Sequence, residues 1–357
     1  MTAGDRLYPL NRNSTYEATM FLLSKKPKTV SKIVDINIHW SGDDPFTFIS
    51  HHHDQYPKGN AQMAPPLEQI RGRNLGRDYQ ERFGFRMYHG RVVPGFPMHA
   101  HWGYETMTIA EKGYVDHFDT ERNYGRYGNG DVQWTLASSR YEHCEMYPLV
   151  DQENDNPTHI TQIVINIPLD RKNKGNTVNN VWSETIPSFE EDGCRITLYC
   201  GSYGGSEIYS PNPGSWAAKE NSVRVMRIEM EPGSRFALEA VPDGVNRNVY
   251  YVSGKGAVMD GTKVKPHLRF KMKPGTDLSL ENGAEPSEFW ILEGKPIGEK
   301  QAAFGPVILS DLDEVRASMD EIRIREFQEW PWELMDKTNP IDMGRELHRS
   351  DGTVEKP

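Results

Sequence analysis

Apolar positions in this chain come in short runs broken by turn residues. Candidate strands fall at residues 86–93, 104–110, 114–118, 132–137, 160–167 and 196–199. A second series follows at 223–230, 248–252, 257–259, 268–272 and 288–292. Regular short strands with Gly, Pro, Asn and Asp between them predict a barrel or sandwich rather than a helical fold. The two series also look like copies of each other. Pro94-Gly95, an apolar strand and Lys112-Gly113-Tyr114-Val115 in the first correspond to Pro232-Gly233, an apolar strand and Lys255-Gly256-Ala257-Val258 in the second. An internal duplication of this size predicts two tandem barrels.

The expected organisation is an N-terminal arm over 1–29 and a first barrel over 30–190. A second barrel over 191–309 and a C-terminal helix and polar tail over 310–357 complete it. A polar stretch at 51–86, with one short helix near Leu67–Ile70, reads as an insertion, and loops of that length usually carry function or no fixed structure. The C-terminal helix is signalled by Leu312, Val315, Met319 and Ile322 at three- and four-residue steps, with Ser310 as N-cap.

Charge narrows the function classes. A formal net charge of -10 spread along the chain opposes direct contact with nucleic acid, which needs a cationic footprint. Cys144, Cys194 and Cys200 are too few for a disulfide framework and suit a reducing compartment. With no apolar leader and no run long enough to cross a bilayer, the expected setting is cytoplasmic, or nuclear in a eukaryote, without membrane contact.

The chemistry gathers in two short segments. His99-Ala100-His101 places two imidazoles on one face of a strand, because side chains two apart share a face. About forty residues on, His143-Cys144-Glu145 repeats the spacing and turns Cys144 the other way. Lining one barrel, His99, His101, His143 and Glu145 would offer a mixed nitrogen and oxygen set. Such a set suits a divalent first-row metal with open positions better than a closed structural zinc site. Glu105, in a candidate strand just beyond His101, is a second carboxylate within sequence reach. His51-His52-His53 is read as the end of a strand rather than as a ligand group. The second barrel carries apolar Phe236 and Leu238 where the first has its histidines, so one metal per chain is expected.

These segments resemble the pirin family of bicupins. The resemblance rests on Phe96-Pro97-Met98-His99-Ala100-His101-Trp102-Gly103-Tyr104-Glu105-Thr106, on Asn129-Gly130-Asp131-Val132-Gln133-Trp134 and on His143-Cys144-Glu145-Met146. Trp182-Ser183-Glu184-Thr185-Ile186-Pro187 between the barrels, and Glu293-Gly294-Lys295-Pro296-Ile297-Gly298-Glu299 with Phe304-Gly305-Pro306-Val307 near the end, extend it over residues 90–330. It implies an all-β fold of two cupin barrels. One mononuclear Fe(II) would be held by His99, His101, His143 and Glu145, with other divalent metals admissible by ligand type. Cupins in general often use the glutamate that follows His-x-His, which keeps Glu105 as an alternative ligand or a proton acceptor beside Glu145. The implied activity is a quercetin 2,3-dioxygenase-like reaction of O₂ with a flavonoid or other enolisable aromatic. Two alternatives stand beside it: an iron-dependent redox-sensing transcriptional cofactor that binds a protein partner, and a non-oxidative isomerase or lyase. Two positions depart from the family pattern, with Ala100 in place of proline and Trp102 in place of arginine. Both are expected near the mouth of the metal site.

Overall fold

The computed structural model describes residues 26–325 and 328–357, so most of the expected N-terminal arm lies outside the described residues. The chain forms two cupin barrels side by side, with a helix at the C-terminal end. The first barrel is built from β2 (His39–Ser41), β3 (Phe46–Tyr56), β4 (Gly95–His101), β5 (Tyr104–Lys112), β6 (Tyr114–Asp119), β7 (Tyr124–Gly128), β8 (Asp131–Ala137), β9 (Tyr141–Met146), β10 (Asn156–Asn166) and β11 (Asn176–Val181). One sheet runs β11-β8-β5-β10-β3-β2, and the facing sheet contains β7-β6-β9-β4. The earlier strand β1 (Val30–Asp35) was expected with this barrel. It instead pairs with Leu268–Met272, at the edge of the second barrel's large sheet.

Side-chain alternation explains how the barrels meet. Along β5, Glu105, Met107, Ile109 and Glu111 share one face while Tyr104, Thr106 and Thr108 share the other. The apolar residues of the first face belong to a core shared with the second barrel. There Trp40, Ile49, Met107, Ile109, Trp134, Ile163 and Ile165 pack with Tyr199, Val225, Tyr250, Trp290 and Leu292. The opposite face lines the interior of the first barrel and is markedly more polar. The second barrel inverts this, with Leu198, Ile228, Phe236, Leu238, Phe270 and Phe289 in one apolar core.

The stretch expected as an insertion from residue 51 begins as sheet. His51, His52 and His53 lie within β3, paired with Thr161, Ile160 and His159 of β10. The loop proper follows Tyr56 and contains the short helix α1 (Leu67–Ile70). Its Phe85 and Met87 are buried with Tyr56, Ile70 and Leu149, which pins it to the barrel wall.

The tail is also structured. Arg126 on β7 makes a buried two-pronged ion pair with Asp116 on β6, at 2.7 and 2.9 Å. Its guanidinium also donates to the carbonyls of Met343, Ile341 and Asn339. Glu346–His348 then pairs with β7 and extends the site-bearing sheet. The helix α2 (Leu312–Arg325) buries Val315 and packs Met319 and Ile322 against Val307, Leu309 and Trp102. Its cap is Asp311, whose Oδ1 accepts from the amides of Asp313 and Glu314, rather than the expected Ser310. Leu312, expected on the apolar stripe, is exposed. Among the described residues, no helix is long and apolar enough to cross a membrane.

Candidate metal centre

The centre forms where β4 and β9 pair. Their antiparallel register sets His99 opposite His143 and His101 opposite Tyr141. One extra residue in β4 between Phe96 and His99 makes a bulge, so Phe96 stands opposite Glu145 and the histidine register is restored beyond it. The result is a nearly equilateral triangle of rings, with centroids 4.8 Å (His99–His101), 4.6 Å (His99–His143) and 4.7 Å (His101–His143) apart. One nitrogen from each of the three falls within 4.8 Å of the other two.

Hydrogen bonds decide which nitrogens are free. His99 Nδ1 donates to the Pro97 carbonyl at 2.9 Å, which leaves Nε2 with its lone pair. His101 Nδ1 is held by the Tyr104 hydroxyl, and its Nε2 is buried without a partner. Both ring nitrogens of His143 are buried without one. Burial, reinforced by the neighbouring imidazoles, pushes His101 and His143 well below the ordinary histidine range. Both rings therefore stay neutral, as metal ligation requires. A buried polar atom with no partner is costly, and a bound cation would satisfy one such nitrogen on His101 and one on His143.

Glu145 stands beside the three histidines. Its Oε2 lies 3.7 Å from His99 Nε2 and 3.6 Å from His143 Nε2. The side-chain amide of Gln162, on β10, donates to both carboxylate oxygens at 3.1 Å, and the Thr108 hydroxyl reaches Oε1 at 3.4 Å. Behind His143 stands His117, ring to ring at 5.4 Å, bonded through Nε2 to Asp119 Oδ2. Tyr141 donates to the same oxygen at 2.8 Å.

Glu105 is not brought to this centre. It lies on the other face of β5, where its carboxylate accepts from Ser210, Asn212 and Ser215. Burial outweighs those bonds and pushes its pKa up to about 7. The reading of Glu105 as ligand or proton acceptor is therefore corrected: a single step along the strand turned it away. Trp102 is corrected likewise. Its indole bonds Asn173 and packs beneath α2, not at the mouth. Met107 and Trp134 face the shared core rather than the site, while Cys144 points outward into an apolar cluster as its position between two inward residues predicts.

The mouth is a pocket of about 350 Å³ bounded by Phe96, Pro97, Met98 and His99 on one side and by Gly76, His89 and Arg91 on the other. The loop after β3 thus supplies half of the wall. Gln162, Thr108, Tyr104, His117 and Asp119 did not emerge from the sequence. Two signals were present. Gln162 is the single amide in the run 160–165, and His117-Phe118-Asp119 repeats the two-residue spacing of the proposed ligand pairs.

Comparison with known proteins places these features in a family. The model described as Pirin matches residues 40–165, and that of the pirin C-terminal cupin domain matches 225–328. A Thermoplasma acidophilum protein bearing the name putative quercetin 2,3-dioxygenase is 29% identical over 251 residues, covering 65% of this chain and 92% of its own. Human pirin is 26% identical over 246 residues, covering 67% and 80%. The crystal structure of a quercetin 2,3-dioxygenase from Acinetobacter baumannii superposes with a TM-score of 0.65 at 20% identity, over 85% of this chain and 99% of that one.

Proposed function

Since the chain belongs to the pirin family, we propose that it is a mononuclear Fe(II) dioxygenase acting on a flavonoid-like or other enolisable aromatic molecule. The observation that carries this reading is the convergence of imidazole nitrogens beside an anchored carboxylate, next to a pocket that His99 lines. Three imidazoles and one carboxylate leave open positions on a six-coordinate ion, which a closed tetrahedral zinc site would not. Iron(II) held there would let O₂ and a substrate oxygen bind side by side.

The chain's own residues supply the rest. The Pro97 carbonyl fixes His99 in the tautomer that leaves Nε2 bare, and the Tyr104 hydroxyl holds the His101 ring with its Nε2 inward. Gln162 holds Glu145 from behind, so the carboxylate edge nearest the histidines stays in place to accept the proton of an incoming hydroxyl. Phe96 offers an aromatic face at the mouth, and Arg91 a cation suited to a phenolate or a carbonyl oxygen. A volume of about 350 Å³ is at the small end of ligand pockets and suits one planar aromatic substrate.

The test is oxygen consumption. Protein loaded anaerobically with Fe(II) is mixed with quercetin and a panel of smaller phenols, and uptake is followed with an electrode. Substrate-dependent uptake that disappears in His143→Ala is expected. No uptake with any phenol, while the protein holds one equivalent of iron, would overturn the dioxygenase reading.

A further inference from the structure

A second cluster of ligating groups lies on the outer face of the first barrel, where it meets the second. His51 on β3 and His159 on β10 project from neighbouring strands, and Glu288 comes from the strand Ser287–Gly294 of the second barrel. One ligand atom from each falls within 4.8 Å of the others. We propose that His51, His159 and Glu288, with Glu111 beside them, form a zinc site that ties the two barrels together. This goes beyond the single metal expected from the sequence and is independent of the dioxygenase reading.

Three observations carry it. The first is distance. His51 Nε2 and His159 Nε2 face each other at 3.3 Å, and Glu111 Oε2 is 3.1 Å from His159 Nε2. In a tetrahedral site with metal–ligand bonds of about 2.0–2.1 Å, neighbouring ligand atoms stand roughly 3.3 Å apart. The second is the state of the ligands. His51 Nδ1 is occupied by the Thr161 hydroxyl at 3.0 Å, so its Nε2 is the nitrogen turned toward His159. Burial pushes His51 down to about 4 and His159 well below the ordinary range, which keeps both rings neutral. Neither oxygen of the fully buried Glu111 has an aligned hydrogen-bond donor.

The third is charge. Arg227 touches three carboxylates, with Nε 2.8 Å from Glu111, Nη1 3.1 Å from Glu229 and Nη2 3.1 Å from Glu288. One guanidinium serves three carboxylates, and burial already pushes Glu111 up to about 8, so the acidic groups that Arg227 alone does not offset would be met by a divalent cation. Arg227 and the Trp290 indole, which donates to Glu288 Oε1 at 2.8 Å, hold the carboxylates in orientation. They occupy only part of the lone-pair capacity of each group. Two imidazole nitrogens and a carboxylate oxygen suit zinc. His51 and Glu288 remain partly exposed, which gives the ion access from solvent.

The experiment uses the full chain with the first centre emptied by His101→Ala together with His143→Ala. The protein is equilibrated with Zn(II), dialysed, and its metal counted by mass spectrometry. One zinc per chain is expected, falling at least tenfold when His51→Gln or His159→Gln is added. Co(II) in place of zinc should give the intense visible bands of a tetrahedral site in the emptied protein, a reading that needs no substitution at the interface. No retained zinc and no such bands in the emptied protein would overturn the proposal, as would an undiminished zinc equivalent in folded His51→Gln and His159→Gln proteins. Failure of the dioxygenase reading would look different: no oxygen uptake by iron-loaded wild type, whatever the interface binds.

Discussion

His99 and His143 stand directly opposite each other in the β4–β9 pair, with their ring centroids 4.6 Å apart. Forty-four positions separate them in the chain, and one antiparallel register joins them. That register includes the bulge at Pro97-Met98, where the Met98 amide donates to the Met335 carbonyl of the tail. The centre is therefore held by its own hairpin-like pair and by a segment more than two hundred residues away.

Tyr104→Phe should weaken iron binding by about 10–100-fold, the usual effect of removing the group that orients a ligating histidine. The Tyr104 hydroxyl is the partner of His101 Nδ1, and without it the ring can turn or take the other tautomer. Competition against a chelator of known affinity measures the change. Equal affinity in wild type and variant would show that His101 is oriented by packing alone.

Gln162→Leu tests the carboxylate. Removing the amide takes two hydrogen bonds from a buried Glu145 and frees its carboxylate to turn away from the histidines. Iron affinity should fall by about 10-fold or more in competition against a chelator. Unchanged affinity would count against Glu145 as a ligand.

The ligand pairs were legible because a period of two is a local property. His-x-His and His-x-Glu share a face in any strand, and the short helix at Leu67–Ile70 was likewise readable. What was not legible depends on pairing between distant segments. Glu105 looked like a ligand because it follows His101 closely, but β5 turns it toward Ser210, Asn212 and Ser215, a contact that exists only once the second barrel docks. Gln162 reaches Glu145 across the barrel interior from β10. β1 joins the far barrel and the tail joins the near one, and neither segment is apolar enough to announce a partner.

The tail makes a prediction of its own. A chain ending at residue 332 would leave the buried Arg126–Asp116 pair without the Asn339 amide and the carbonyls that complete it. Each buried donor or acceptor left without its partner costs about 1–3 kcal/mol. The truncated protein should unfold at clearly lower temperature and lose iron affinity, since β7 and β6 back the site-bearing strand β9. Unchanged melting in calorimetry would mean that the tail is a passive covering.

Arg91→Ala probes the mouth. Arg91 borders the pocket next to His99 but touches none of the proposed ligands. With a phenolic substrate, KM should rise several-fold with a smaller change in kcat, as expected for a contact that binds ground state and transition state alike. A fall in kcat at unchanged KM would instead give Arg91 a part in the chemical step.

Glu105 offers a pH signature. Its pKa stands near 7 in the folded chain, above the value near 4.3 of an exposed glutamate, because burial disfavours the charge more than its three donors favour it. Between those two values the folded state binds more protons than the unfolded state, so stability falls as pH rises from about 4 to 7 and levels off beyond. Glu105→Gln removes this contribution while keeping one acceptor oxygen for the hydroxyls. Relative to wild type, the variant should gain stability steadily from pH 5 to pH 8, by on the order of 1–3 kcal/mol across that span. Urea unfolding at the two pH values measures the difference directly. If the variant and wild type keep the same gap at both, Glu105 is ionised throughout, and the docking contact between the barrels is a charged one.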